Sequence, residues 1–278
     1  MGAAKGLTAL VTGASRGIGA ALAHRLAAEG AEVAVVARSL EAHAHLPGTL
    51  RKTVEGIRSL GGRAVAIQGD LSDTNARRRI ADEALGKLGH VDILVNNAAA
   101  AYYMPFESYS EKRFRIALEL NVHAPFGLAQ QILPQMRRRR RGWILNISSA
   151  TATPPPGPPF DEFATSGGAL LYGLTKAALD RFSVGLAAEV YADGIAVNSL
   201  SPVAAVKTEG AEALKMIPPD RPDLIEPVEV MVEAAIALCT GDPRTLTGRV
   251  ACSRSLLEEL GRTPRTLDGK ADFREEGA

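Results

Sequence analysis

Two side chains suited to proton transfer, Tyr172 and Lys176, stand four positions apart in the string YGLTK. Residues 170–191 predict a long α-helix, in which a spacing of four places both side chains on one face. A free phenol, with a pKa of about 10, is a weak base at neutral pH, whereas a neighbouring ammonium group stabilises the phenolate. The pair can therefore act as a general acid and base on a substrate oxygen. The alternative is an ordinary amphipathic helix face.

A glycine-rich string, TGASRGIG, occupies residues 12–19, where a first predicted strand passes into a helix. Glycine allows a tight turn there, and the free N–H groups of a helix N-terminus favour an anion such as a pyrophosphate. A purely structural turn is the alternative, but the strand–turn–helix context favours a dinucleotide site. Its predicted contact residues are Gly13, Ser15, Arg16, Gly17, Ile18 and Gly19.

Short apolar runs alternate with longer helical patterns along the chain. The runs are LTALVT, AEVAVVA, RAVAIQ, VDILVNN, WILNIS, IAVNSLS and LTGRVAC. Continuously apolar runs are typical of parallel strands that helices cover on both faces. We predict an α/β fold, namely a doubly wound Rossmann-type three-layer sandwich with a mostly parallel seven-stranded sheet. Because no linker or internal repeat divides the chain, residues 1–260 are expected to form a single dinucleotide-binding catalytic domain.

Taken together and in this order, the motifs resemble those of the short-chain dehydrogenase/reductase family. The glycine string is similar to the TGxxxGxG of that family, YGLTK to its YxxxK, and NNAAA at residues 96–100 to its NNAG, with Ala99 in place of the glycine. LELNVHAPF, which contains Asn121, and NISS, which ends at Ser149, follow in the same order. The resemblance implies hydride transfer between a nicotinamide cofactor and a carbonyl or secondary alcohol substrate.

Residue 38 indicates which nicotinamide cofactor to expect. Ala37 and Arg38 stand at the end of the second predicted strand, where an acidic residue would bind the ribose hydroxyls of NAD. An acid would repel the 2′-phosphate of NADP, whereas a guanidinium group can bind it. The family resemblance directs Arg16 toward the same phosphate. The sequence therefore predicts NADP(H).

The resemblance also implies roles for the other motif residues. Tyr172 would exchange a proton with the substrate oxygen, and Lys176 would also hold the ribose hydroxyls of the nicotinamide. Ser149, rather than its neighbour Ser148, would hydrogen-bond the substrate oxygen. Asn121 would complete a proton relay through water to Lys176. Further cofactor contacts are implied for Asp70, Leu71, Asn97, Ala98, Pro202 and Thr208.

Three segments surround this core pattern. A proline-rich stretch lies in a predicted substrate loop at about 151–168, and it either lines the active-site entrance through residues 160–163 or is a structural excursion. Residues 203–225 are expected to form a substrate lid, beginning in PVAAVKT, which replaces a PGxVxT-like segment of the family. The polar stretch 261–278 is expected to be a mobile tail or a partner-contacting arm.

Composition argues against other classes of function. The formal net charge of the 278 residues is +1, so no global field attracts nucleic acid. The basic run at 137–141 suits the end of a surface helix. No apolar run reaches the roughly 18–20 residues that span a membrane. The two cysteines form no CxxC pair, and His43 and His45 lack further ligands at metal spacing. We expect a cytoplasmic protein with no metal, and the resemblance implies a homodimer or homotetramer.

A different class of function is also compatible with these motifs. A catalytically weak NADP-binding sensor or regulatory protein would keep the fold and lose the chemistry. Ala99 and Val203, where the chain departs from the family pattern, favour this alternative. Tyr172 and Lys176, which such a protein would typically lose, favour the enzyme.

Overall fold

The chain folds around one parallel β-sheet. The computed structural model describes residues 2–41, 48–165, 168–203, 205–208 and 225–275. The strands are β1 (Thr8–Thr12), β2 (Glu32–Ala37), β3 (Arg63–Gln68), β4 (Ile93–Asn96), β5 (Gly142–Ile147), β6 (Ile195–Ser201), β7 (Ala205–Val206), β8 (Ile225–Glu226) and β9 (Val250–Cys252). Seven of them form a sheet in the order β3-β2-β1-β4-β5-β6-β9, and every pairing is parallel. The predicted Rossmann-type sheet is confirmed.

Helices cover both faces of this sheet. They are α1 (Gly17–Ala28), α2 (Leu50–Ser59), α3 (Thr74–Leu88), α4 (Glu111–Leu118), α5 (Ala124–Arg139), α6 (Glu162–Thr165), α7 (Leu170–Val190), α8 (Val228–Thr240) and α9 (Ser253–Leu260). A π-helical turn at Glu119–His123 joins α4 to α5. Strand β2 shows how the layers form, because Val33 and Val35 face one hydrophobic core while Ala34 and Val36 face the other. Burial on both faces explains the continuously apolar runs.

The order in which successive strands are added to the sheet reverses between β1 and β4, which are parallel neighbours although β2 and β3 lie between them in sequence. In open parallel sheets, ligands bind at the carboxyl ends of the strands beside such a switch point. The glycine string follows β1, Asn97 follows β4 and Ser149 follows β5. The fold therefore gathers these three segments at one edge.

The basic run at the end of α5 makes contacts within the protein. Arg137 pairs with Asp193, Arg139 pairs with Asp92, and the guanidinium of Arg141 lies over the Trp143 ring. These contacts connect α5 to the residues that flank β4, β5 and β6. No helix in the described ranges is long and apolar enough to cross a membrane.

The segment after α9 follows the surface of the domain as far as residue 275. Arg25 of α1 donates a hydrogen bond to the Thr266 carbonyl oxygen at 3.4 Å, and Arg254 of α9 forms an ion pair with Glu275 at 2.8 Å. The described part of the predicted polar tail is therefore attached to α1 and α9. Residues 276–278, His43 and His45 lie outside the described residues.

Candidate active site

A cleft of about 350 Å³ opens beside the switch point between β1 and β4. Its wall includes many of the residues that the sequence assigns to the cofactor. They are Gly13, Ser15, Arg16, Arg38, Leu71, Asn97 and Ala98, together with Ala37, Ser39, Gly69, Ala99 and Leu120. The fold thus brings together segments that follow β1, β2, β3 and β4.

The glycine string packs closely against the segment after β4. Gly13 has a φ of +65°, a conformation that residues with a Cβ rarely adopt. A Cβ on Gly19 would lie 2.4 Å from Nδ2 of Asn97, so only glycine fits there. The same Nδ2 donates a hydrogen bond to the Thr12 carbonyl oxygen at 2.9 Å. Asn97 therefore fixes the turn between β1 and α1.

The N-terminus of α1 faces this turn. Arg16 is the N-cap residue, and its side chain makes no capping hydrogen bond. The first N–H groups of α1 are therefore not satisfied by a side-chain cap, which is the arrangement that suits a bound phosphate. Ser15 is buried in the cleft wall, whereas Ile18 packs against the hydrophobic core.

Two arginines, Arg16 and Arg38, line the cleft. Burial lowers the pKa of Arg16, and the positive charge of Arg38 lowers it further. Nη1 of Arg16 is buried and has no hydrogen-bond partner among the described residues. An unpaired donor beside a second cation fits an anionic group such as a phosphate.

Asp70 follows β3 and lies within the electrostatic influence of Arg38. Its carboxylate accepts hydrogen bonds from the Ser72 N–H at 2.9 Å and the Ser72 hydroxyl at 2.7 Å. Burial alone would raise the pKa of Asp70, but these hydrogen bonds and the charge of Arg38 bring it below its ordinary value. The buried Leu71 follows, and its carbonyl oxygen accepts a 2.6 Å hydrogen bond from Arg77.

The candidate catalytic pair lies in the first turns of α7. Lys176 is buried, and its Nζ donates a 2.6 Å hydrogen bond to the carbonyl oxygen of Ile147, the last residue of β5. The same Nζ lies 5.4 Å from the centroid of the Tyr172 ring. Burial lowers the pKa of Lys176 to about 8, although the negative charge of Asp180 opposes that shift.

The pKa of Tyr172 differs in direction from the sequence expectation. Burial raises this pKa above its ordinary value, and Tyr103 raises it further. The Tyr103 and Tyr172 rings are 5.7 Å apart at an angle of 58°. Lys176 is over the Tyr172 ring and directs its hydrogen bond to Ile147, so its charge does not outweigh the desolvation of the phenol.

A close backbone approach connects α7 to Ser149. A Cβ on Gly173 would lie only 2.4 Å from the Thr151 carbonyl oxygen, so glycine allows α7 to contact the turn at Ala150–Ala152. Ser149 caps that turn, and its Oγ accepts hydrogen bonds from the Thr151 N–H at 3.2 Å and hydroxyl at 2.9 Å. A hydroxyl that accepts both bonds keeps its own hydrogen for donation. The neighbouring Ser148 is buried.

Asn121 lies buried in the π-helical turn. Its side chain exchanges two hydrogen bonds with the backbone of Ala100, at 2.8 and 2.9 Å, and donates a third to the Thr175 hydroxyl at 2.9 Å. Thr175 in turn donates to the Tyr172 carbonyl oxygen at 2.8 Å. Asn121 therefore joins the loop after β4 to the turn of α7 that carries the candidate pair. Such π-turns are frequent at functional sites.

Sequence reasoning missed Tyr103, Gly173 and Thr175. Tyr103 is the third residue after the NNAAA string, and Gly173 and Thr175 lie inside YGLTK. Position in or near a motif was the only available signal, because their contacts depend on how the loop after β4 and the turn after β5 pack.

The remaining predicted segments are described only in part. Thr208 lies against the glycine string, because a Cβ on Gly17 would be 3.7 Å from its hydroxyl oxygen. Pro202 follows β6 directly. In the predicted substrate loop, Phe160 and Phe163 are exposed. Most of the predicted lid, residues 204 and 209–224, lies outside the described residues, as do residues 166–167 of the substrate loop.

Comparison with known proteins agrees with this geometry. Residues 7–216 match the family model for short chain dehydrogenase. The hydroxysteroid dehydrogenase-like protein 2 of Xenopus laevis is 30% identical over 256 residues, which are 92% of this chain and 58% of that protein. This chain therefore spans less than two thirds of the length of that relative.

Two solved structures are similar over nearly the whole fold. A blue fluorescent protein from a metagenomic library, in complex with NADPH, is 30% identical with a TM-score of 0.73, covering 89% of this chain and 96% of that one. A 7 alpha-hydroxysteroid dehydrogenase, in complex with NADH and 7-oxo glycochenodeoxycholic acid, is 30% identical with a TM-score of 0.76, covering 89% and 92%. Its motifs, its parallel sheet and its relatives together show that the chain belongs to the short-chain dehydrogenase family of oxidoreductases.

Proposed function

We propose that this protein is an NADP(H)-dependent oxidoreductase that interconverts a carbonyl and a secondary alcohol, with Tyr172 as the acid and base. One observation carries the proposal: the buried Lys176 ammonium lies over the Tyr172 ring and is held by Ile147 at the strand edge that also bears the glycine string. A proton donor and a nucleotide cradle at one edge are the two parts that hydride transfer needs.

NADP(H) is the cofactor that the cleft favours. Arg16 and Arg38 both line the cleft, where their positive charges would bind a 2′-phosphate and the buried Nη1 of Arg16 would supply a donor. Solved relatives are found with either NADPH or NADH, so the preference rests on these two arginines. Gly13, Ser15, Asp70, Leu71, Asn97 and Ala98 would hold the remainder of the nucleotide, with Gly17, Gly19, Pro202 and Thr208 beside it. When bound, the nicotinamide supplies or accepts the hydride.

The protein's own residues would handle the proton. With its pKa raised, Tyr172 keeps the protonated form that carbonyl reduction needs, and it would donate that proton to the substrate oxygen. Ser149 would donate a hydrogen bond to the same oxygen as negative charge develops there. The Lys176 ammonium would then stabilise the tyrosinate, while Asn121 holds the turn of α7 between the two residues.

The proposal extends to assembly and location. Phe126 of α5 packs against Phe182 of α7, and Phe126, Leu174 and Val184 leave apolar surface exposed on these two long helices. That surface supports a homodimer or homotetramer. Both cysteines are free, which agrees with a reducing cytoplasm.

A direct test compares Tyr172→Phe with the wild type for NADPH consumption against a panel of ketones, aldehydes and diketones. Tyr191→Phe is the matched control. Tyr191 follows α7, and its hydroxyl donates a hydrogen bond to the Arg244 carbonyl oxygen, away from the cleft. We expect turnover by the wild type and the control, none by Tyr172→Phe, and similar NADPH binding by all three. NADPH binding without turnover on any substrate would support the sensor instead.

A further inference from the structure

A fully buried carboxyl group, Glu226 of β8, lies outside the candidate catalytic set. Its Oε2 accepts a 2.8 Å hydrogen bond from the backbone N–H of Val203. Val203 is the second residue after β6 and occupies the position where the chain departs from the PG pattern of the family. The side chain of Glu226 therefore fixes the start of the segment that leads away from the sheet.

The backbone of Glu226 holds the same segment at a second point. Its carbonyl oxygen accepts a 2.9 Å hydrogen bond from the N–H of Lys207. This bond continues the parallel pairing of β7 with β8, in which Val206 is the partner of Glu226. One residue thus anchors both Val203 and Lys207.

That segment leads directly to the glycine string. Thr208 is the next residue, and a Cβ on Gly17 would lie 3.7 Å from its hydroxyl oxygen and 3.8 Å from its Cβ. Gly17 begins α1, whose N-terminus faces the cleft. A displacement of Val203 or Lys207 would therefore move Thr208 relative to the phosphate-binding turn.

The buried position of Glu226 makes its carboxyl costly to ionise in the folded protein. Burial raises the pKa of the Glu226 carboxyl above its ordinary value, and the Ser253 hydroxyl and the Val203 N–H oppose that shift only in part. Of the charged groups nearby, Arg254 lowers the same pKa and Glu275 raises it. An acid whose pKa is raised by folding destabilises the folded state when it is ionised. A neutral amide would fill the position at a smaller cost in folding free energy.

We propose that Glu226 is a positioning residue for the cofactor site, which holds Val203 and Lys207, sets Thr208 against the glycine string and so determines how tightly NADPH is bound. This inference rests on the proposed function for the identity of the ligand. Its structural part, the anchoring of Val203 and Lys207, does not depend on any ligand.

The test uses Glu226→Met, which fills similar space without an acceptor, and Glu226→Gln, which keeps an acceptor for the Val203 N–H. Glu229→Met, in the first turn of α8, is the matched control. Hydrogen exchange of residues 203–207 is measured without cofactor, NADPH binding by fluorescence titration, and stability by thermal melting. For Glu226→Met we expect faster exchange and NADPH binding weaker by about tenfold, because losing the hydrogen bond to Val203 leaves Thr208 less firmly held against the glycine string. Glu226→Gln should bind NADPH within about threefold of the wild type and melt no lower, and the control should match the wild type.

Other outcomes overturn the inference in distinct ways. Wild-type exchange and NADPH affinity in Glu226→Met would remove the positioning role, and failure of that variant to fold would assign Glu226 to structural support. Glu226→Gln that binds NADPH as weakly as Glu226→Met would mean that the Val203 hydrogen bond is not what matters. A wild type that does not bind NADPH would contradict the proposed function instead, while the exchange measurement would still decide the anchoring.

Discussion

Nζ of Lys176 donates a 2.6 Å hydrogen bond to the carbonyl oxygen of Ile147, which joins α7 to the carboxyl end of β5. This contact holds a buried cation over the Tyr172 ring. Because Lys176 is buried and hydrogen-bonded there, a change in its protonation state changes the charge beside Tyr172. The pKa of about 8 brings that titration into an accessible range.

Lys176 should make the stability of the protein vary with pH in the alkaline range. Its pKa falls from 10.5 to about 8 on folding, so the unfolded chain binds more protons between these values and the unfolding free energy rises with pH there. Relative to Lys176→Met, the wild type should gain on the order of 2–3 kcal/mol between pH 7 and pH 10. Urea denaturation of both proteins across this range measures the difference. If the unfolding free energies of the two proteins varied with pH in parallel, Lys176 would not have the lowered pKa in the folded protein.

Asp180 should keep Lys176 charged at working pH. It is one turn further along α7, accepts a 2.5 Å hydrogen bond from the Ser199 hydroxyl, and raises the pKa of Lys176 by its charge. Asp180→Asn should therefore move the alkaline limb of the kcat/KM profile to lower pH. Glu189→Gln, near the end of the same helix, is the control and should leave the limb unchanged. An unmoved limb in Asp180→Asn would exclude this electrostatic role.

Arg38 should determine the preference for NADPH over NADH. Loss of a charge-assisted hydrogen bond costs about 1.5–3 kcal/mol, so Arg38→Ala should raise the KM for NADPH by roughly 10- to 100-fold and change the KM for NADH little. Arg63→Ala is the control, because Arg63 begins β3 and its side chain is 73% exposed beside Glu32. Equal KM values for NADPH in Arg38→Ala and the wild type would contradict the NADP assignment.

Two glycines of α7 offer a matched pair of substitutions. A Cβ on Gly173 would meet the Thr151 carbonyl oxygen at 2.4 Å, whereas a Cβ on Gly185 would meet only the flexible end of the Arg181 side chain, at 2.9 Å. Gly173→Ala should destabilise the protein by about 1–3 kcal/mol and lower kcat, because α7 must move away from the turn after Ser149. Gly185→Ala should be neutral or stabilising by up to about 1 kcal/mol. Similar melting temperatures and kcat in the two variants would contradict the close approach.

The sheet could be predicted from sequence because buried parallel strands produce continuous apolar runs, as in β2, where alternate residues enter opposite cores. The segments of the site could be predicted for a related reason. Asn97 and Ser149 follow strands whose carboxyl ends meet at one edge, so chain order alone indicates that they are neighbours.

Contacts between loops could not be predicted in this way. The spacing of Tyr172 and Lys176 indicates proximity but not burial, and burial reverses the expected direction of the Tyr172 pKa. Likewise, the Tyr103 ring and the anchoring of Val203 by Glu226 depend on loop conformations that no periodic pattern encodes. These contacts arise from tertiary packing.

The measurement that tests the central claim most directly is the transfer of deuterium from NADPH labelled at nicotinamide C4 to a carbonyl substrate. Mass spectrometry of the alcohol product is compared for the wild type and Tyr172→Phe, with NADPH binding measured in parallel. We predict one deuterium in the product formed by the wild type and no labelled product from Tyr172→Phe, although both bind NADPH. Labelled alcohol from Tyr172→Phe at the wild-type rate would contradict the role of Tyr172, and NADPH binding by the wild type without labelled product from any carbonyl would contradict the enzyme itself.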